Sequence, residues 1–428
     1  MSDSRLKSAL WDAPIPEPPE AERRGLRIVE AAFAERTGSG RSGRSGRSEL
    51  GGAMAPTISE RRSRRPFPRL ALALAMAALL AILLLSPAGA AVRNWVGDVV
   101  ATSAPRPEPT LSQIPGGGRL LVQSAAGPWV VQPDGSRRLL GDYEEAAWSP
   151  HGLFVATAEG RTLSAVEPGG TPHWSLTAAA RVSDPRWSPS GYRIAYRSGR
   201  SLRIVAGDGT GDHLVNRNTA PVAPAWSPFG TPEVAYVDAE GQLRIAASEI
   251  EASRSGAPPD MAGAAAGRDV RQIEWGARGR QILEVSPTAL HLQGMRLSKL
   301  EGRSEFAGRT ALTTPDGATV VDAALAPRRT IVAAVLTFWR HSGTRSAVVI
   351  YGPAGKPRRL LSVPGSLGEV AWSPDGRRLL IAWPGANQWL FLPLARGEGR
   401  AVADISTAFA PGHRTASFPR VDGWCCSR

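Results

Sequence analysis

The sequence predicts an all-β protein, a ring of seven four-stranded antiparallel blades (a β-propeller), with six blades as the alternative count. Three observations predict it. A W-S-P anchor stands at Trp148, Trp187 and Trp226, at two spacings of 39; degraded copies follow at Trp275 and Leu325, a clean copy at Trp372, and a seventh at Trp424 with Cys425-Cys426 in place of Ser-Pro. Between anchors the chain is patterned as short strands separated by Pro/Gly/Asp/Ser turns, four strands to a unit. Three strands precede the first anchor, and one strand follows the last unit, so the two ends complete one blade.

Residues 182–215 show the unit most plainly. A strand ends at Trp187, and Ser188-Pro189-Ser190-Gly191 turns the chain, Pro presetting φ and Gly accepting positive φ. Ile194 and Tyr196 alternate in the second strand. Leu202, Ile204 and Ala206 alternate in the third, as on a pleated strand. Gly207-Asp208-Gly209-Thr210-Gly211 is a hairpin loop, and His213 opens the fourth strand. At the start of the ring, residues 119–123, 129–132 and 137–140 are three strands, with Pro133-Asp134-Gly135 as the matching turn. Residues 421–426 supply the missing innermost strand, and pairing the two ends removes the exposed edges. Six blades would follow if the Leu325 copy were an insertion; the strands expected at 330–337 and 346–351 favour seven.

The repeated Trp-Ser-Pro, and Trp372-Ser373-Pro374-Asp375-Gly376 above all, resembles the WD-type and bacterial TolB-type (PD40) propeller repeats over residues 118–426. The resemblance implies tryptophans packed between neighbouring blades and Asp-Gly turns between strands. The Gly-His and Trp-Asp dipeptides of the eukaryotic repeat are absent.

The N-terminal part is organised differently. Residues 1–69 read as a cytoplasmic tail, polar and proline-rich apart from an amphipathic helix over 20–36 with Leu26, Val29 and Phe33 on one face. Residues 38–48 are a Gly/Ser/Arg linker. Residues 70–92 carry no charge, and 23 residues are enough to span a bilayer. Five arginines precede the segment closely and Arg93 follows it, which puts the N-terminus inside and the propeller outside the cell membrane. This is the signal-anchor reading. The alternative is a signal peptide beginning at Met54 and cut near Ala90, releasing a secreted protein. Residues 93–117, with Pro105, Pro107, Pro109 and Pro115, read as an extended stalk.

Net charge is +13, of which residues 1–69 hold +5; the rest is spread without a basic cluster, which argues against nucleic acid as a partner. Cys425 and Cys426 cannot staple distant parts of the fold; they are expected as small buried residues of the closing strand, with a vicinal disulfide or a redox or metal site as alternatives. The six histidines lack zinc-site spacing, and no Gly-x-Ser-x-Gly elbow or nucleotide loop occurs. Gly207–Asp212 lacks the alternate acids of a calcium loop and reads as a turn. Glu145, Asp184 and Glu369 precede anchors and are candidates to face the central channel, but no catalytic, cofactor-binding or metal-ligating residue is assigned. The expected function is non-catalytic binding of an envelope protein, peptide or cell-wall polymer. An exported propeller hydrolase or lyase, and a sensor signalling through the tail, are the alternatives.

Overall fold

The computed structural model describes residues 105, 107–108, 111–228, 233–248, 264–266, 269–297, 304–340, 343–353, 355–395, 397–410 and 417–426. The helix expected over 20–36 and the apolar segment 70–92 lie outside them. No helix among the described residues is long and apolar enough to cross a membrane.

Seven antiparallel sheets follow one another along the chain. Blade 1 holds Arg119–Ser124, Gly127–Val131 and Arg137–Leu139, and its innermost strand is the C-terminal Arg420–Cys425. Arg119 faces Cys425 and Leu120 faces Trp424 in that pairing, so the ring closes as the strand count requires. Blades 2 to 7 begin with Glu145–Trp148, Val182–Trp187, Ala225–Trp226, Gln272–Trp275, Ala318–Leu325 and Val370–Trp372. Leu325 therefore marks a true blade, and seven is the count.

Alternation explains why the sheets stack. Both faces of every blade are covered, so odd and even positions are both apolar. In Arg119–Ser124, Leu120 and Val122 pack towards blade 7 with Trp389 and Phe391, while Leu121 packs towards blade 2 with Ala146 and Val155. The core is accordingly seven apolar layers, one at each blade junction.

The anchor serine has a local task. Ser188 Oγ accepts the N–H of Arg193 at 3.1 Å, while its own N–H donates to the Arg193 carbonyl at 2.8 Å. Ser149 and Ser373 do the same for Phe154 and Arg378 at 2.9 Å. All three serines are buried and satisfied. Gly152, Gly191 and Gly376 close the same turn at φ of 64°, 76° and 67°, which a side chain would strain. Where the anchor decays, Gly276 and Ala326 keep the backbone bond, to Gln281 and Ile331, and lose the hydroxyl.

The Asp-Gly loops are turns. Asp208 Oδ1 accepts from the N–H and hydroxyl of Thr210 at 3.0 and 2.7 Å, and Asp134 treats Ser136 likewise at 3.0 and 2.6 Å. The distal part of the expected stalk is drawn onto the ring. Pro107–Glu108 adds a parallel fifth strand to blade 7 beside Arg400–Val402, and Ile114 is fully buried between blades 7 and 1. Burial of one isoleucine and two backbone pairings outweigh the extended preference that its prolines suggest. Cys425 and Cys426 are bonded as a vicinal disulfide; Cys425 is buried, and their sulfurs lie 3.8 Å from the carbonyls of Ser149 and Pro150.

Candidate functional site

The inner strands surround a cavity of about 460 Å³ on the ring axis. Its polar lining comes from a rule of position. Side chains three residues and one residue before the anchor share a strand face, and that face looks into the channel. The first position supplies Glu145, Asp184, Gln272, Asp322 and Glu369; the second supplies Arg186 and Glu274. The innermost strands of blades 3 and 6 are bulged as well, but in blade 1 the bulge falls two residues before the anchor: Leu121 faces Gly423, Val122 faces Val421, and the extra residue, Asp422, reaches the cavity with Arg420.

Glu145, Asp184 and Glu369 thus line the channel as expected from the sequence, together. Five further charged residues, Arg186, Glu274, Asp322, Arg420 and Asp422, were not expected. Asp322 was hidden by the loss of its tryptophan, and Asp422 by the bulge. Glu274 and Arg186 were legible through the two-residue alternation.

Several of these carboxylates join one blade to the next. Glu145 Oε2 accepts the Asp184 N–H at 2.6 Å, Glu274 Oε2 accepts the Leu325 N–H at 2.8 Å, and Asp322 Oδ2 accepts the Val370 N–H at 2.8 Å. Asp322 Oδ1 also accepts from the Ala323 N–H at 2.9 Å. Two are ion-paired: Asp184 with Arg197 at 2.9 Å and Asp422 with Arg420 at 2.6 Å. Asp422 is nine-tenths buried, and its Oδ2 has no hydrogen-bond partner among the described residues. Glu369 makes no side-chain hydrogen bond among the described residues.

Burial dominates the electrostatics. It pushes Glu274 up to about 7, with the Asp322 charge adding and the Leu325 N–H opposing. It pushes Asp322 to about 7, opposed by the Val370 N–H and aided by Glu369. Glu145 is raised by burial and then by Asp184, against the pull of the Asp184 amide. Asp422 is raised by burial in spite of Arg420. The channel is thus lined mostly by carboxylates in a basic chain, the most buried of them held partly protonated near neutral pH. Among the described residues no three His, Cys, Asp or Glu side chains converge as metal ligands.

The described histidines stay apart from the channel: His151 is exposed in the first anchor turn, and His173 pairs with Glu167 at 2.9 Å.

No family model matches the chain, and no curated protein matches its sequence. Solved structures are similar in fold. One titled as the mitotic checkpoint complex is 15% identical over 69% of this chain and 96% of its own, with a TM-score of 0.48. Hsv2p of Kluyveromyces lactis is 13% identical over 70% and 97%, at 0.47. A candidate 6-phosphogluconolactonase from Bacteroides uniformis is 13% identical over 68% and 96%, at 0.48.

Proposed function

We propose that this is a membrane-anchored, extracytoplasmic propeller of the bacterial TolB-like type. It acts as a non-catalytic binding module, and its channel mouth receives the amine or guanidinium of a peptide or cell-wall polymer. The observation that carries the reading is the charge of the channel: six carboxylates against Arg186 and Arg420, in a chain of net charge +13. Two carboxylates already have arginine partners, and burial holds Glu274 and Asp322 partly protonated near neutral pH, which leaves Glu145 and Glu369 to meet an incoming cation. The W-S-P-D-G repeat supports the TolB-like assignment, and residues 70–92 with their arginine flank support the anchor.

Glu369 is the residue to test, because it supports no backbone group of the next blade. Titration calorimetry with a lysine-containing peptide and its acetylated form is the measurement. Only the free amine binds, salt weakens it, and Glu369→Gln costs about tenfold, near the 1.4 kcal/mol of one charge-assisted contact. Equal binding of the acetylated peptide sinks the reading. Protease accessibility of the propeller in intact cells tests the location.

A further inference from the structure

A second cavity, of about 640 Å³, opens between blades 2 and 3, away from the channel lining. Five rings line it: Phe154, His173 and Trp174 from blade 2, Trp187 and Tyr192 from blade 3. Phe154 and Trp187 lie nearly parallel, 19° apart with centroids at 6.4 Å, and His173 stands edge-on to Phe154 at 4.7 Å. Tyr192 is 61% exposed. Glycine forms part of the wall: a Cβ on Gly207 would meet Trp187 at 3.2 Å, and one on Gly209 would meet Trp174 at 2.7 Å.

The repeat does not require these rings. The place of Phe154 in its turn is taken by Arg193 in blade 3 and Arg378 in blade 7. The rung that holds Trp174, opposite Ala165, holds His213 opposite Ile204 in blade 3. The anchors Trp226, Trp275, Trp372 and Trp424 are buried to 8% exposure or less, and Trp148 is covered by the Arg119 guanidinium at 4.9 Å. Trp187 is only partly buried beside the cavity, where it packs against the apolar layer between blades 2 and 3. Five rings concentrated at one junction, with His173 and Tyr192 exposed, make an aromatic surface that a ligand can cover.

The polar groups around it say which ligand. The Trp174 N–H is spent on the Gly207 carbonyl at 2.9 Å, and the Trp187 N–H is buried. The lining offers an acceptor, the Asp208 carboxylate, of which only Oδ1 is engaged among the described residues, with the Tyr192 hydroxyl between donor and acceptor roles. An occupant must therefore bring hydroxyl donors together with flat C–H faces for the rings. A proline-rich peptide brings carbonyl acceptors and would find no indole donor. A quaternary ammonium needs rings boxed around it, and Phe154 and Trp187 instead lie against each other.

We propose that the groove between blades 2 and 3 is a binding site for a neutral saccharide chain, its pyranose rings stacked on Trp187 and Tyr192 and its hydroxyls donating to Asp208. Acidic sugars are repelled by Asp208. The volume lies within the usual range for small-ligand sites.

The test is calorimetric titration of the whole protein with neutral trisaccharides (cellotriose, maltotriose and triacetylchitotriose), with choline and a decaproline peptide as competitors in kind. At least one trisaccharide binds. Tyr192→Ala and Asp208→Asn each weaken it tenfold or more, while the thermal midpoint of Tyr192→Ala stays unchanged because its ring supports nothing. Binding of none of the three sugars overturns the proposal. So does sugar binding indifferent to both substitutions, or binding of choline or decaproline in their place.

Discussion

The channel and the groove between blades 2 and 3 reverse the usual distribution of side chains in opposite ways. In the channel, carboxylates are buried; in the groove, aromatic rings line a surface cavity and Tyr192 is exposed. The difference lies in what else depends on them. Glu145, Glu274 and Asp322 each receive a backbone N–H of the following blade, so recognition and ring integrity share the same atoms. Tyr192 and Asp208 support little beyond their own turn. The channel should therefore resist substitution through loss of stability, and the groove should yield its function without loss of fold.

The anchors give the widest contrast, since one repeat position is buried in blade 1 and only partly buried in blade 3. Trp424 is 8% exposed, donates to the Gly117 carbonyl at 2.8 Å and meets Phe391 edge-on at 5.7 Å. Trp424→Ala should cost about 3–5 kcal/mol, visible as a lower denaturant midpoint. Trp187→Ala, at the partly buried copy, should cost less, about 2 kcal/mol, by its smaller buried area. Equal losses would show that the groove is packing rather than a site.

Asp322→Ala should cost a similar amount, roughly 2 kcal/mol, because two buried amides lose their acceptor while the carboxylate's own desolvation is relieved. Thermal unfolding of Asp322→Ala beside Glu369→Gln measures the gap: both line the channel, and only the first should melt early.

A smaller effect is expected from pH. Glu274 and Asp322 titrate near 7 when folded, against ordinary values of 4.5 and 3.8. Between those limits the folded chain holds more protons than the unfolded one. Their contribution is complete below about pH 4 and is lost as pH rises through about 7. Asp375 has the opposite sign: burial raises it, but the Ser373 hydroxyl and Arg377 amide more than offset this, so its contribution is lost on acidification. Between pH 5.5 and 8 the wild type should lose more in Tm than Asp322→Asn does. An equal loss would remove Asp322 as a source of the pH dependence.

The smallest effect is the sharpest for the groove. Tyr192→Ala should leave stability within ~0.5 kcal/mol, as for surface positions without a structural task. A larger loss would assign the ring to packing.

Much of this molecule is determined locally. Ser188 with Gly191, or Asp208 with Thr210, fixes a turn through atoms five residues apart or fewer, and such turns repeat; the blade count and the closing strand follow from them. Glu145, Asp184 and Glu369 were legible because each stands three residues before a visible anchor. The rest depends on distance. Asp322 and Asp422 enter the channel because a blade 48 residues away offers Val370, and because the closing strand is bulged against the other end of the chain. Residues 107–108 join blade 7 through a pairing with Arg400–Val402 that no local preference announces. The groove, likewise, exists only because two neighbouring blades each bring rings to one junction. A turn is settled by the residues that form it, whereas a buried charge or an open ring is settled by what the folded chain sets beside it.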